Sequence, residues 1–504
     1  MIHPMTEHGI ALHQRVSELE RLSRQQETIR RQAVLLKQDR SGQRAMDAEI
    51  RRLQERIQHL EERLQRNSSN SSLPPSTDGP GVDRPKRRGK RKRQRGGQKG
   101  HSGRSRPLVP SDEVDAVVPC KPETCCSCNH PLSGDDPNPW RHQVCEIPKP
   151  RVEVTEYQRH RLTCPRCGQV TIGALPDGVS HSSFGPRLHA LTALLTGRFL
   201  LSKRDAVTLY DVVFGLGVSP SSIIAMERRM AAAVADPVQD AMEWVRSAPV
   251  VHPDETSWRQ AKKRAWLWTA ATDAVAIFNI HRSRSQEAAK ELLGADFAGA
   301  ICSDRFGAYN RIDRRGYCWA HLKRDFQAMA DRFGSEWYGL RLVAGAKRVM
   351  AAWRMHRDGE IDRQTRDQRL SEERRRIHRL LVAAKERAPA PKTRRECAEL
   401  LKTEARMWTF VDIDGMPPTN NLAERCLRRA VIWRKKCFGT DSEAGSRFVA
   451  CILTVVTTPK MQQRGAFEFL VHAQEASFRG SQPPSLCPTT RTQTVTRRPS
   501  TKSH

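Results

Sequence analysis

Apolar residues return at every seventh position near the start of the chain. Leu22, Ile29, Leu36, Ile50, Ile57 and Leu64 fall in one series with Gln43, and Met46, Leu53 and Leu60 lie three places after its later members. A repeat of about 3.5 residues places these side chains along one seam of a helix, so residues 1–66 read as a coiled coil (leucine zipper) through which the protein self-associates. Gln43 is then a polar seam position that fixes register, and Ser41 with Gly42 marks a local break. The lesser alternative is a charged helix that folds back on its own chain. The repeat stops at residues 67–85 (NSSNSSLPPSTDGPGVDRP), which have almost nothing to bury, and residues 67–110 read as a flexible basic linker.

Further on the period changes. Residues 144–162 (VCEIPKPRVEVTEYQRHRL) alternate as strands do. Residues 181–246 are mainly helical, and 202–230 give a helix, a turn at 215–219 and a second helix begun by Pro220, the outline of a helix-turn-helix. Three β-rich runs follow at 248–252 (APVVH), 264–272 (RAWLWTAAT) and 275–280 (VAIFNI); then come a helix at 285–293 (SQEAAKELL) and a fourth strand at 299–303 (GAICS). In a βββαβ arrangement the first and fourth strands are neighbours, so Asp254 and Asp304, which follow them, meet at one end of the sheet. Residues 316–320 (GYCWA) supply a fifth strand ending at His321, and residues 322–406 form a long helical region rich in Arg and Ala. After a break at 412–418, a helix capped near Asn420 and Asn421 carries Glu424 in its first turn, with Leu427 and Val431 on its packed side.

Composition narrows the partner. The 504 residues suffice for several domains, and 86 Lys and Arg against 56 Asp and Glu give a net charge of +30, which favours a polyanion such as DNA over an acidic small substrate. A membrane surface is the weaker alternative. The opening MIHPMTEHGIAL has no cationic start or apolar core, and the most apolar stretch, 448–456, is too short to span a bilayer, so the expected location is the cytosol. Between positions 84 and 106 lie twelve Lys or Arg and no acidic residue; Lys86, Arg87, Arg88, Lys90, Arg91, Lys92, Arg93 and Arg95 can track a phosphate backbone without reading sequence.

Four of the fourteen cysteines form two pairs, Cys125 with Cys128 and Cys164 with Cys167, each with two residues between. Such pairs place two thiolates on one tight turn, and four soft ligands suit tetrahedral zinc, so residues 111–180 read as a small zinc-ribbon-like module. Cys120, Cys126, His130 and Cys145 are further candidates for the ligand set.

Three carboxylates that converge suit phosphodiester chemistry. Hard oxygen ligands hold two Mg²⁺ ions about 3.5–4 Å apart, one activating the attacking oxygen and one stabilising the leaving oxygen. Taken singly, Asp254 reads as a turn residue, Asp304 as a loop opener and Glu424 as the partner of Asn421 in a capping box. Their joint placement favours the site. Glu255 adjoins Asp254 but points the other way on an extended strand.

The segments HPDETSWRQ (252–260), SDRFGAYN (303–310), CWAHLKRDFQ (318–327) and PTNNLAERCLRRAVIWRKKCFGT (418–440) resemble transposases of the insertion sequence 66 family. The linker NSSNSSLPPSTD with GGQKGHSG, the paired cysteines and the N-terminal seam resemble the same family, so the likeness extends to about residue 481. It implies a DDE transposase whose RNase-H-like core, residues 247–440, contains a helical insertion at about 322–406 and is followed by a helical element at 441–480; residues 481–504, rich in Ser, Thr and Arg, lie outside the likeness and read as a disordered tail. The fold class is multidomain α+β. By motif, Asp254, Asp304 and Glu424 are the metal-binding triad for Mg²⁺ or Mn²⁺; His321 either supports the site at metal or phosphate or is a helix-start histidine that orients the loop. The resemblance further implies double-stranded DNA as partner, at element ends and target, self-association, accessory proteins encoded beside the chain, and a bacterial, nucleoid-associated setting. Cys126 crowds the first cysteine pair, and Asn129 stands where the family pattern has Pro or Gly.

Two other functions use the same features. An RNase-H-like nuclease or resolvase would cut with the same carboxylates without joining, and a non-catalytic zinc-containing regulator would only bind. The five tyrosines lack the Arg and His constellation of a tyrosine recombinase.

Overall fold

The computed structural model describes residues 7–38, 43–67, 70–71 and 106–489. The basic run from Lys86 to Arg95 lies outside the described residues, as do most of the linker and residues 490–504. The chain divides into two compact units, Asp83–Glu156 with Leu209–Leu216, and the remainder.

In the larger unit, helix α1 (Glu7–Gln38) and helix α2 (Gln43–Gln65) pack on each other. Leu22 and Ile29 of α1 are buried with Leu53 and Leu60 of α2, and Gln26 of α1 donates to Glu61 of α2. Part of the heptad seam is thus closed within the chain, while Leu64 stays 38% exposed. A partner helix on the same chain buries these residues without the entropy cost of association. The expected alternation at residues 144–162 does not produce a ribbon there; only β1 (Arg161–Thr163) pairs, antiparallel, with β2 (Val170–Ile172), and both are exposed.

The middle helices are α3 (Pro186–Ala193), α4 (Lys203–Phe214), α5 (Pro220–Ala233) and α6 (Ala235–Arg246). Ser219 caps α5 by accepting from the Ser222 amide, and α5 buries Ile223, Met226 and Met230 against α3. The helix-turn-helix outline is present, with one face of its second helix committed to the core.

The sheet has the order β5-β4-β3-β6-β7. Its members are β3 (Val250–Gln260), β4 (Lys263–Ala271), β5 (Ala276–His281), β6 (Ala300–Ser303) and β7 (Arg315–Tyr317). The first three form an antiparallel meander, and α7 (Gln286–Leu293) crosses over so that β6 returns parallel to β3. The five runs appear in the order read from the sequence, with two differences. Strand β3 continues through Asp254 to Gln260, because β4 keeps pairing with it after β6 has ended. Strand β7 stops at Tyr317 and α8 (Trp319–Ala330) begins at once, so His321 sits in the first turn of a helix rather than at a strand end.

Between β7 and the last carboxylate come α8, α9 (Glu336–Arg357), α10 (Arg363–Arg387), α11 (Pro391–Lys402) and α12 (Ala405–Asp412), whose core of Phe326, Leu342, Ile377, Leu400 and Trp408 also takes in Ala300, Cys302 and Tyr317 of β6 and β7. Helix α13 (Asn421–Cys437) returns across β3 and β4, followed by α14 (Glu443–Met461) and α15 (Ala466–Arg479). Strand β5 is the edge of the sheet. Its outward amides are satisfied by α14, Ala276 donating to Thr458 and Phe278 to Thr454, each at 3.1 Å, which closes an edge that would otherwise invite strand pairing. The tail expected to be disordered from residue 481 holds to this core at first: Leu486 is fully buried, and its carbonyl accepts from Gln462 at 2.8 Å. Among the described residues no helix is long and apolar enough to cross a membrane.

Candidate active site

Parallel pairing of Val250 with Ala300 and Val251 with Ile301 sets the register between β3 and β6. Asp254 and Asp304 each lie four residues beyond Val250 and Ala300, so they stand at the same level where the two strands part. Asp254 Oδ1 accepts from the Glu255 amide, and Asp304 Oδ1 accepts from the Phe306 amide, both at 2.9 Å.

The loop that carries Asp304 is fixed by Arg315, whose guanidinium is fully buried. It donates to Ser303 Oγ (3.0 Å), Asn310 Oδ1 (2.8 Å) and the carbonyls of Asp304 (2.6 Å) and Phe306 (2.9 Å). The planar fork of arginine suits four acceptors spread over one loop.

Asn420 performs the equivalent task for Glu424. It is almost wholly buried, and its side chain does not cap α13 as the sequence suggests. Instead Nδ2 donates to the Pro253 carbonyl (2.7 Å), Oδ1 meets His252 Nδ1 (3.2 Å), and the backbone amide donates to Cys318 Sγ (3.1 Å). The start of α13 is thereby tied to β3 beside Asp254 and to the start of α8. Burial holds His252 down to about 4, so it is neutral at physiological pH and its ring can share a single proton with Asn420.

The electrostatics are those of crowded acids. Burial, followed by the charges of Glu255, Asp304 and Glu424, holds the Asp254 carboxyl well above the usual aspartate range. Glu255 is raised as well, by burial and then by Asp304, yet its carboxylate already has partners: Arg284 donates to Oε1 and Tyr309 to Oε2 at 2.7 Å. A buried acid beside other acids is relieved by a cation, and oxygen ligands suit Mg²⁺ or Mn²⁺.

Glu424 faces a second group. Arg324 donates to its Oε1 at 3.3 Å, and His321 Nδ1 lies 3.8 Å from the same oxygen, too far for a hydrogen bond, which leaves that nitrogen buried without a partner. Burial and Arg324 lower the His321 pKa, so a neutral ring presents a lone pair here. Cys318, His321 and Glu424 are the one group of three possible metal-ligating side chains within 4.8 Å among the described residues, and neither aspartate belongs to it. Burial pushes the Cys318 thiol up to about 11, so it is protonated at neutral pH and is a poor ligand beside the carboxylate.

The sequence profile described as Transposase IS66 family matches residues 181–447, and it covers the sheet, the insertion and all three acids. The chain belongs to the IS66 transposase family. A family of unknown function, DUF6444, matches residues 13–107. A protein of Sinorhizobium fredii described as uncharacterized protein y4hP is 26% identical over 394 residues, which is 69% of this chain and 69% of that protein.

In this IS66-family chain the two cysteine pairs fall in different compact units, and each forms its own knuckle. Cys125 accepts from the Asn129 amide and donates its own amide to the His130 carbonyl; Cys164 repeats the pattern with Gly168 and Gln169, all at 2.9 Å. Asn129 takes a left-handed φ of 57° where Gly168 has 74°, so the departure from glycine leaves the turn unchanged. Backbone amides of these turns lower the Cys125 and Cys164 thiols, as a zinc ligand requires. Sequence reasoning missed Arg315 and Arg284 altogether, and it placed His252, Tyr309 and Asn420 within motifs without their tertiary contacts to the acids and to β3.

Proposed function

We propose that the chain is a DNA transposase of the DDE type, with an RNase-H-like core in which Asp254, Asp304 and Glu424 hold Mg²⁺ or Mn²⁺. The observation that carries this reading is the shared level of Asp254 and Asp304 on adjacent parallel strands, with α13 tied to the same strand through Asn420. Divalent ions there would neutralise charge on a phosphodiester and activate the attacking oxygen. Arg315 and Asn420 keep the carboxylates in place, Arg324 steadies Glu424, and neutral His321 can accept a proton or contact phosphate at the rim. Water cleavage frees a 3′ hydroxyl at each element end, and that hydroxyl attacks target DNA in line, a step that depends chiefly on positioning and charge.

The remaining assignments follow the same reading. Cys125, Cys128, Cys164 and Cys167 bind zinc, supported by the matched knuckles. The segment from Lys86 to Arg95 contacts phosphates of double-stranded DNA at element ends and target. Self-association and accessory proteins complete the assembly, in the cytoplasm at the nucleoid.

The test is Mg²⁺-dependent cleavage and joining of a labelled oligonucleotide carrying the end of the flanking element, with wild type compared to Asp304→Ala. Joined products that vanish in the variant support transposition. Cutting without joining would move the reading to a nuclease, and binding with neither activity to a regulator.

A further inference from the structure

Away from the carboxylates, the tip of the β3–β4 hairpin and the last turn of α13 enclose a cleft of about 810 Å³. Arg259, Lys262 and Arg264 reach it from the hairpin, Arg434 and Lys435 from the helix, and Phe438 closes one side; no acidic residue lines it. None of the five cations forms an ion pair among the described residues. The helix macrodipole accounts for cations in the last turn of α13, since they face unsatisfied carbonyls. It does not account for three more brought by a different element.

Two details show that the cleft is held in shape. Arg434 is pinned at its base, donating to Thr256 Oγ1 (2.9 Å) and the Ser257 carbonyl (3.1 Å). The hairpin turns through Ala261 (φ 49°) and Lys262 (φ 61°), a left-handed pair for which glycine or asparagine is the usual choice. Phe438 is also left-handed (φ 58°) and remains 66% exposed, an unusual state for a bulky apolar residue. A ring held open beside five cations that no carboxylate neutralises matches what a nucleic acid strand presents: phosphates for the cations and a base face for the ring.

We propose that this cleft binds the phosphate backbone of a DNA strand, with Phe438 stacking on an unpaired base. Both elements that build it lead to the carboxylates. Helix α13 runs ten residues from Glu424 to Arg434, about 15 Å at 1.5 Å per residue, and β3 runs five from Asp254 to Arg259, about 17 Å. At about 3.4 Å of duplex axis per phosphate of one strand, the cleft engages DNA about four or five base pairs from the carboxylates. The proposal rests on DNA being the ligand of the proposed function, and its test reads binding alone.

The experiment uses full-length Asp304→Ala protein and fluorescence anisotropy with a labelled duplex of about 30 base pairs, blunt or with a short 3′ overhang, between about 50 and 200 mM salt. Lys262, Arg264 and Lys435 are exposed, so their alanine variants keep the fold. The triple variant lowers the slope of log affinity against log salt by about 2 to 3, whereas alanines at the exposed Arg379, Lys385 and Arg387 of α10 leave it unchanged. Equal slopes for the cleft triple and its parent, or equal changes in the two triples, overturn the site. Phe438→Ala weakens overhang binding about tenfold and spares the blunt duplex; unchanged overhang binding overturns the stacking. Because Asp304 is already replaced, failure to cleave does not bear on either result.

Discussion

Asn420 donates from Nδ2 to the Pro253 carbonyl at 2.7 Å, joining the residue just before α13 to the residue just before Asp254. Two carboxylates that are 170 positions apart in the chain, Asp254 and Glu424, are therefore located by one buried amide. Asn420→Ala leaves the Pro253 carbonyl and His252 Nδ1 without their partner and costs about 2–4 kcal/mol of stability by urea denaturation. Cleavage falls further than the folded fraction does, because Glu424 loses its anchor. Activity that tracks the folded fraction would reduce Asn420 to a purely stabilising role.

Asp254 makes folding depend on pH. Its carboxyl is held well above 3.8 in the folded chain, so between the unfolded and folded values the native state carries the extra proton. Stability then falls as pH rises through that window, and the cost stands in full above it. Asp254→Asn should raise the melting temperature at pH 8 without metal and lose that advantage near pH 3.8. Added Mg²⁺ should raise the melting temperature of wild type and not that of the variant. A variant that melts below wild type at pH 8 would contradict the raised Asp254 carboxyl.

Arg315 holds the Asp304 loop with a fork that lysine cannot copy. Arg315→Lys keeps a charge but satisfies fewer of the four acceptors, at a cost of about 3 kcal/mol. Hydrogen exchange at the Phe306 amide, which donates to Asp304 Oδ1, should quicken in the variant while β3–β4 amides keep their protection. Equal protection at Phe306 would show that the loop stands without the guanidinium.

The strand and helix periods made much of the core legible. Three β-rich runs, one helix and a fourth strand appear in the order read, as do the break before α13 and the helices between the fifth strand and that break. What local patterns could not reveal was which surface answers which. The seam of α1 and α2 has the same heptads whether it meets another molecule or itself, and only the tertiary arrangement shows Ile29 beside Leu53. Alternation at 144–162 failed because its apolar residues, Val144, Ile147 and Val154, are exposed, and strands need a buried face to be stable. The acids could be read from motif, whereas Arg315 and Asn420 reach them across 11 and 167 positions.

Asn129 offers a separate test of the cysteine knuckles. It occupies the left-handed position that Gly168 occupies in the other pair, and asparagine tolerates that conformation while β-branched residues do not. Asn129→Gly should therefore leave zinc content unchanged, whereas Asn129→Val strains the turn that presents Cys125 and Cys128. Zinc measured in purified protein, released by a thiol-reactive reagent and read with a chelating dye, should fall in Asn129→Val and in Cys164→Ser. The lowered thiols of Cys125 and Cys164 also mean that zinc competes with fewer protons there, so retention should persist below the pH at which ordinary cysteines release the ion. Full zinc content in Cys164→Ser would remove that cysteine from the ligand set and leave His130 or Cys145 to be tested in its place.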